Sequence, residues 1–330
     1  MQNRLSTKLT FLAKLSLSLG LISYLVWILD WETAAETITK AAKFPLFVAP
    51  FFVLAGFGFA SFRWQLILAD SKVDFSYWNA YLGYLVGSFY SVFLPGVIGG
   101  DAVRIARCAK QTKCQLGVVT GSVLLERTSG FVALLTIAFL VYLGFPQRLS
   151  PLLAIQARYF MTAVTVVGVI VIAIVLLRNR FRLNWLPQEG KGRLWTFVRS
   201  AIQTFVVPRR RTLGIVLILS ALFQTMDIVV TFILSQAIGL PLPLIVFLAV
   251  IPLVYLATVL PISLGGLGVR EGTLVLLLAQ FGVVPSDAVT LSFLVYLNRV
   301  VIGGLGGLVQ LAETFSTRKA SRVVKDGNYV

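Results

Sequence analysis

The sequence predicts an all-α polytopic membrane protein, with about six full transmembrane helices and two re-entrant helical hairpins arranged as an inverted-topology repeat. Three observations lead there. Apolar residues make up 58% of the 330-residue chain and charged residues 13%, with a mean hydropathy of +0.88. Soluble domains run at about 45–50% apolar and 25% charged, so this chain lacks the polar side chains to cover a water-facing surface. Apolar runs of about 18 residues or more, long enough to cross a bilayer core, recur along its length. A Pro/Gly/Arg motif occurs twice, half a chain apart.

The runs, in order, are Leu9–Leu29, Phe44–Leu68, Phe75–Leu94, Leu116–Leu143, Tyr159–Leu177, Thr212–Gln236, Pro243–Leu260 and Val289–Leu311, with a weaker apolar stretch at Gly272–Val284. The first is too long for a signal-peptide core and no small-x-small cleavage site follows it. Basic residues set the direction, because cytoplasmic flanks are rich in Lys and Arg. Arg4, Lys8 and Lys14 place the N-terminus inside, and residues 30–43 read as a short interfacial helix outside. Arg63 and Lys72 bring the chain back inside. The loop 178–211 holds nine basic residues against Glu189 alone, and the tail 316–330 adds Arg318, Lys319, Arg322 and Lys325. Both are cytoplasmic by this rule. Trp185, Trp195 and Phe197 give the loop the look of a segment lying on the interface.

Strict alternation fails twice. Arg104, Arg107, Lys110 and Lys113 follow Phe75–Leu94 where the chain should be outside, and the inside tail demands an odd number of crossings after Pro243–Leu260. Both conflicts vanish if Phe75–Lys113 and Pro243–Val284 are re-entrant hairpins; two conventional full crossings are the other arrangement. Irregular backbone at membrane depth is tolerated where it is buried in protein or lines a wet cavity.

The hairpin tips, Leu94-Pro95-Gly96-Val97-Ile98-Gly99-Gly100-Asp101-Ala102-Val103-Arg104 and Leu260-Pro261-Ile262-Ser263-Leu264-Gly265-Gly266-Leu267-Gly268-Val269-Arg270, are identical at six positions with a constant offset of 166. The chain therefore divides into a first repeat, 1–150, and a second, inverted repeat, 151–315, within one transmembrane domain spanning 1–330. Pro95 and Pro261 end their helices by removing a backbone donor. The paired glycines Gly99/Gly100 and Gly265/Gly266, with Gly268, allow unusual backbone angles and close approach of a ligand. The helix that follows presents free N–H groups suited to a phosphate. Gly83/Gly87, Gly117/Gly121 and Gly303/Gly307 read instead as helix-packing pairs.

Charges at membrane depth are costly, which makes them functional candidates: Asp101, Arg104, Arg107, Glu126, Arg127, Asp227, Arg270, Glu271 and Arg299. Asp101, Arg104 and Arg107 share a helix face. Arginine forks bind phosphate bidentately and stay charged, so Arg104, Arg127, Arg270 and Arg299 read as a phosphate site. Asp101, Glu126 and Glu271 would orient them or exchange a coupling proton; the alternative for these acids is simple neutralisation. Arg107 reads equally as an interfacial side chain, and the role of Asp227 stays open. The chain contains no histidine, which excludes Ser-His-Asp triads, His-ligated metals and His relays. Cys108 and Cys114 form neither a zinc quartet nor a disulfide framework. No cofactor or metal is expected, and there is no P-loop. The net charge of +16 sits in membrane flanks and does not indicate nucleic acid.

The segments FLPGVIGGDAVRIARCAK, LLERTSG and LPISLGGLGVREG, in that order, resemble the lysylphosphatidylglycerol synthase transmembrane-region family. The resemblance spans nearly the whole chain. It implies a flippase-like membrane domain, which in bifunctional relatives translocates the aminoacylated phosphatidylglycerol that a soluble transferase domain makes. The chain ends at Val330 without such a domain, so the expectation is a stand-alone member that handles lipid without aminoacyl transfer. By position the resemblance assigns Pro95, Gly99, Gly100, Asp101, Arg104, Glu126, Arg127, Pro261, Gly265, Gly266, Gly268, Arg270 and Glu271 to the site.

The sequence reading is thus a translocase, not an enzyme, of the cytoplasmic membrane with both termini inside. Its partner is a membrane phospholipid or polyprenyl-phosphate lipid, with no nucleic acid, and a homodimer or a lipid-synthesis enzyme is a further expected partner. The rivals are a membrane-embedded lipid-modifying transferase with Glu126 or Asp101 as base, and a non-catalytic scaffold of a lipid-synthesis complex.

Overall fold

A computed structural model describes residue 36 and residues 39–93, 99–145, 192–206, 209–259 and 268–326. The expected spans Leu9–Leu29 and Tyr159–Leu177, Trp185, and the tip residues Pro95, Pro261, Gly265 and Gly266 lie outside the described residues. Within them all regular structure is helical: α1 (Lys43–Asp70), α2 (Tyr77–Phe93), α3 (Gly99–Thr112), α4 (Leu116–Gly144), α5 (Arg193–Val206), α6 (Arg210–Ala237), α7 (Leu244–Val259), α8 (Val269–Ala279) and α9 (Pro285–Asp326).

Four of these are long and apolar enough to cross a membrane: Lys43–Asp70, Leu116–Gly144, Arg210–Ala237 and the Pro285–Phe315 part of α9. Together with the matched family below, they make this an integral membrane protein. The described parts of α2 and α7, with 17 and 16 residues, rise about 24–26 Å at 1.5 Å per residue. The chain does not stop being helical where the last apolar run ends. α9 continues without a break to Asp326, because neither proline nor glycine interrupts the segment after Gly307 until Gly327. Its start is set by Pro285, placed at the first helical position where its missing N–H costs nothing, after Gly282 turns the chain at φ +78°.

Packing pairs the two halves in a reciprocal pattern. α1 lies against α6, the closing helix α9 lies against α2, and the closing helix α4 against α7. Within each half the hairpin arms meet, α2 with α3 and α7 with α8, and each second arm touches its own closing helix. The larger apolar core joins α6, α7, α8 and α9 through Ile228, Phe247, Leu278 and Leu291. A smaller one gathers Trp64, Leu68, Phe75, Cys108 and Val119 around α1–α4.

Small residues decide where helices touch closely. A Cβ on Gly100 would collide with the Gly87 carbonyl of α2, one on Gly306 with the Leu85 carbonyl, and ones on Gly117 and Gly121 with α5. α5 itself is amphipathic, burying Ser200, Ala201 and Thr204 while Phe197 and Val198 stay exposed, as an interfacial segment does.

Candidate functional site

Three helices bring charge into the first half. Arg63 of α1, Arg104 of α3 and Glu126 of α4 are 3%, 3% and 4% exposed, a burial tolerated only for paired ions. Arg63 Nη2 donates to Glu126 Oε1 at 2.9 Å and its Nη1 to Ser220 Oγ of α6 at 2.9 Å. Arg104 Nη1 stands 3.6 Å from Glu126 Oε2, and the Tyr84 hydroxyl of α2 donates to Glu126 Oε1. The Arg104 guanidinium also lies over two rings, 4.0 Å from the centroid of Tyr84 and 4.9 Å from that of Trp64, where the ring quadrupole attracts it.

Asp101 and Arg104, one turn apart on α3, bond at 2.9 Å. Arg127 reaches the same carboxylate with Nε at 2.8 Å and Nη2 at 2.5 Å, although its side chain is 51% exposed. Arg107 is paired within the protein. Both its terminal nitrogens meet the Glu313 carboxylate of α9 at 2.5 Å, so one turn of α3 ties the first hairpin to the second half's closing helix.

The second half repeats the plan. Tyr255 of α7 donates its hydroxyl to Asp227 Oδ2 of α6, and Arg299 Nη2 of α9 donates to Tyr255 Oη at 3.1 Å. Arg270 of α8 pairs with its neighbour Glu271 at 2.6 Å. Glu271 also accepts the Gly268 N–H at 2.7 Å, and Gly268 reaches this cap at φ +79°, a region where glycine pays no steric penalty. Arg270, Arg299, Tyr255, Ser292 and Thr231 line a narrow cavity of about 20 Å³, room for about one water.

The two clusters correspond helix by helix: Arg63 with Asp227, Tyr84 with Tyr255, Arg104 with Arg270, Glu126 with Arg299. The first and last pairs exchange sign. α6 connects them, because Ser220, Gln224, Asp227 and Thr231 recur at the three- and four-residue spacing of one helix face. Ser220 Oγ donates to Ser129 Oγ at 3.0 Å, and Gln224 Nε2 to the Gly130 carbonyl at 3.0 Å. A polar file thus runs from the first cluster to the second cavity through otherwise apolar helices.

The structure therefore brings Asp101, Arg104, Glu126 and Arg127 together, and Arg270, Glu271 and Arg299 around the second cavity. Gly99 opens α3, and the free face of Gly100 is filled by α2. Sequence reasoning missed Tyr84 and Tyr255 and took Arg63 for a membrane flank. Its place five positions inside the run Phe44–Leu68 was the available signal. The clusters' correspondence was invisible because their offsets are 164, 171, 166 and 173 and two charges are swapped. Both cysteines are free. Burial pushes the Cys114 thiol above its usual range, away from a reactive thiolate.

Residues 11–307 match the family described as Lysylphosphatidylglycerol synthase TM region. The chain belongs to this family. No curated protein matches the chain. The matched span covers both hairpin motifs, both clusters and the polar file; Glu313, the partner of Arg107, lies beyond it. Membership in a lysylphosphatidylglycerol synthase TM region is compatible with a lipid-related role in the membrane.

Proposed function

We propose that the protein is a flippase-like translocase of a phosphate-bearing lipid. The observation that carries this reading is the polar file of α6 joining two buried arginine clusters, one per repeat, in helices that are otherwise apolar. Polar groups at membrane depth are expensive and mark pathways. A lipid head group crossing the bilayer needs such a path, while its acyl chains remain in the hydrocarbon.

In this reading Phe75–Lys113 and Pro243–Val284 are re-entrant hairpins of an inverted repeat, with both termini cytoplasmic. The reciprocal packing of α9 on α2 and α4 on α7 supports it. The tip glycines, Arg270 and Arg299 receive the phosphate. Arg104 is committed to Asp101, Glu126 and two rings, so it supports the site and Arg127 is its exposed neighbour. The cavity at Tyr255 is too small for a phosphate head group, so a hairpin arm must swing before loading, as alternating access requires. Glu126 and Asp101 are held by arginines, which leaves neither free as the base that a transferase would use.

The test is transport by purified protein in liposomes carrying fluorescent phospholipids of several head groups. Wild type is expected to move a phosphate-bearing lipid between leaflets, and Arg270→Ala/Arg299→Ala to lose most of that rate while keeping its elution volume and helicity. A folded wild type that moves none of the lipids sinks the proposal.

A further inference from the structure

Four carboxylates belong to the two clusters, and three are pinned. Glu126 accepts from Arg63 and Tyr84 with Arg104 beside it, Asp101 accepts from Arg104 and Arg127, and Glu271 accepts from Arg270 and the Gly268 amide. Asp227 differs. Among the described residues its side chain meets one donor, the Tyr255 hydroxyl, and no arginine lies within ion-pair distance. The Tyr255 oxygen in turn accepts from Arg299, and Arg299 and Tyr255 line the cavity with Arg270.

From this arrangement we infer that the second-half cavity, once α8 has swung to widen it, is a proton-coupled site for a phosphate oxyanion, with Asp227 as the group that takes the proton and Tyr255 as the relay. The inference rests on the translocase reading for its lipid, and on geometry for its coupling. A tyrosine hydroxyl has one proton to donate and two lone pairs. While Asp227 is ionised, that proton is committed to it and faces away from the cavity. When a proton from solvent binds Asp227, its new O–H donates to Tyr255 Oη, and Tyr255 turns its own proton toward the anion beside Arg270 and Arg299. One O–H bond forms, on Asp227, and no bond of tyrosine breaks. An incoming oxyanion also repels an ionised Asp227 across a poorly screened site, so binding and protonation favour one another and affinity rises as pH falls.

The surroundings of Asp227 fit this role. Of the helices on α6, α7 brings Tyr255 and α9 brings Arg299. α1 and α4 present Arg63, with Glu126 behind it, at Ser220, two turns away; the other charges of α1, Lys43 and Asp70, are at its ends, and Arg127 of α4 is turned to Asp101. α8 adds Arg270 and Glu271 at the cavity's other side.

The experiment uses the full chain in lipid nanodiscs and two phosphodiester probes, dihexanoylphosphatidylglycerol and its deacylated head group glycerophosphoglycerol. Neither probe titrates between about pH 5 and 8, so any proton taken up belongs to the protein. Binding is followed together with the colour of a pH indicator in weak buffer. Wild type is expected to take up about one proton per probe bound and to lose up to tenfold in affinity per pH unit as the pH rises. Asp227→Asn binds without uptake and with a flat pH profile, Asp227→Glu regains the uptake, and Tyr255→Phe binds more weakly with less uptake. Uptake by Asp227→Asn equal to wild type, or binding by wild type with no uptake, overturns the coupling. If lipids move in liposomes at a pH-independent rate without uptake, the relay falls and the translocase stands. If glycerophosphoglycerol binds with uptake while no lipid moves, the relay stands and the translocase falls. If neither probe binds, both fall.

Discussion

Glu126 accepts from one arginine and a tyrosine and faces a second arginine, with almost no access to solvent. Its removal leaves two buried guanidinium groups facing each other, the situation in which breaking an ion pair is most damaging. Glu126→Ala is therefore expected to lose about 3–5 kcal/mol of stability, read as a fall in the midpoint of a denaturing-detergent titration. Removing Arg63 together with Glu126, as Arg63→Met/Glu126→Leu, should recover most of that loss, since a buried pair replaced by apolar groups of similar size is often neutral. A double variant as unstable as the single would mean that the network does more than balance charge. Arg127 offers the contrast. Half exposed, it should cost at most about 1 kcal/mol on truncation.

At the scale of the element, the sequence and the structure agree where one force dominates. Phe44–Leu68 became Lys43–Asp70, Leu116–Leu143 became Leu116–Gly144, and Thr212–Gln236 became Arg210–Ala237, because an apolar run must bury its backbone polar groups in helix and ends where charge or glycine begins. The repeated Pro/Gly/Arg motif was legible for a related reason: proline and glycine leave marks that do not depend on context. The polar contacts were not legible, because a tyrosine in an apolar run looks the same whether its hydroxyl meets a carboxylate or lipid. Glycine roles were partly legible. Gly303 and Gly307 do face Val92 and Phe89 of α2, but Gly306, between them, makes the closest approach. Gly306→Val would press on the Leu85 backbone carbonyl and should destabilise by about 1–3 kcal/mol. Gly304→Ala, with nothing within 4 Å, should leave the melting temperature unchanged or raise it. Equal losses at both positions would mean that α9 does not lie on α2 through its Gly306 face.

At the scale of the whole molecule, the two halves hold one another through exchanged closing helices, so any rocking motion must loosen α9 from α2 and α4 from α7. The Arg107–Glu313 fork joins α3 to α9 across that packing. It is bidentate and its arginine is largely buried, with 13% side-chain exposure against 36% for the acid, so it holds more firmly than a surface pair whose value is about 0–1 kcal/mol. Reversing one partner, as Arg107→Glu or Glu313→Arg, sets like charges against each other at that contact. Each single reversal should lower the midpoint of detergent denaturation and change the rate of lipid movement in liposomes, whereas Arg107→Glu/Glu313→Arg restores both. A coupling energy of about 1 kcal/mol or more in that cycle marks a direct interaction. If the swap restores stability but not the rate, the fork holds the fold alone and the moving contact lies elsewhere, at the face where α1 packs on α6.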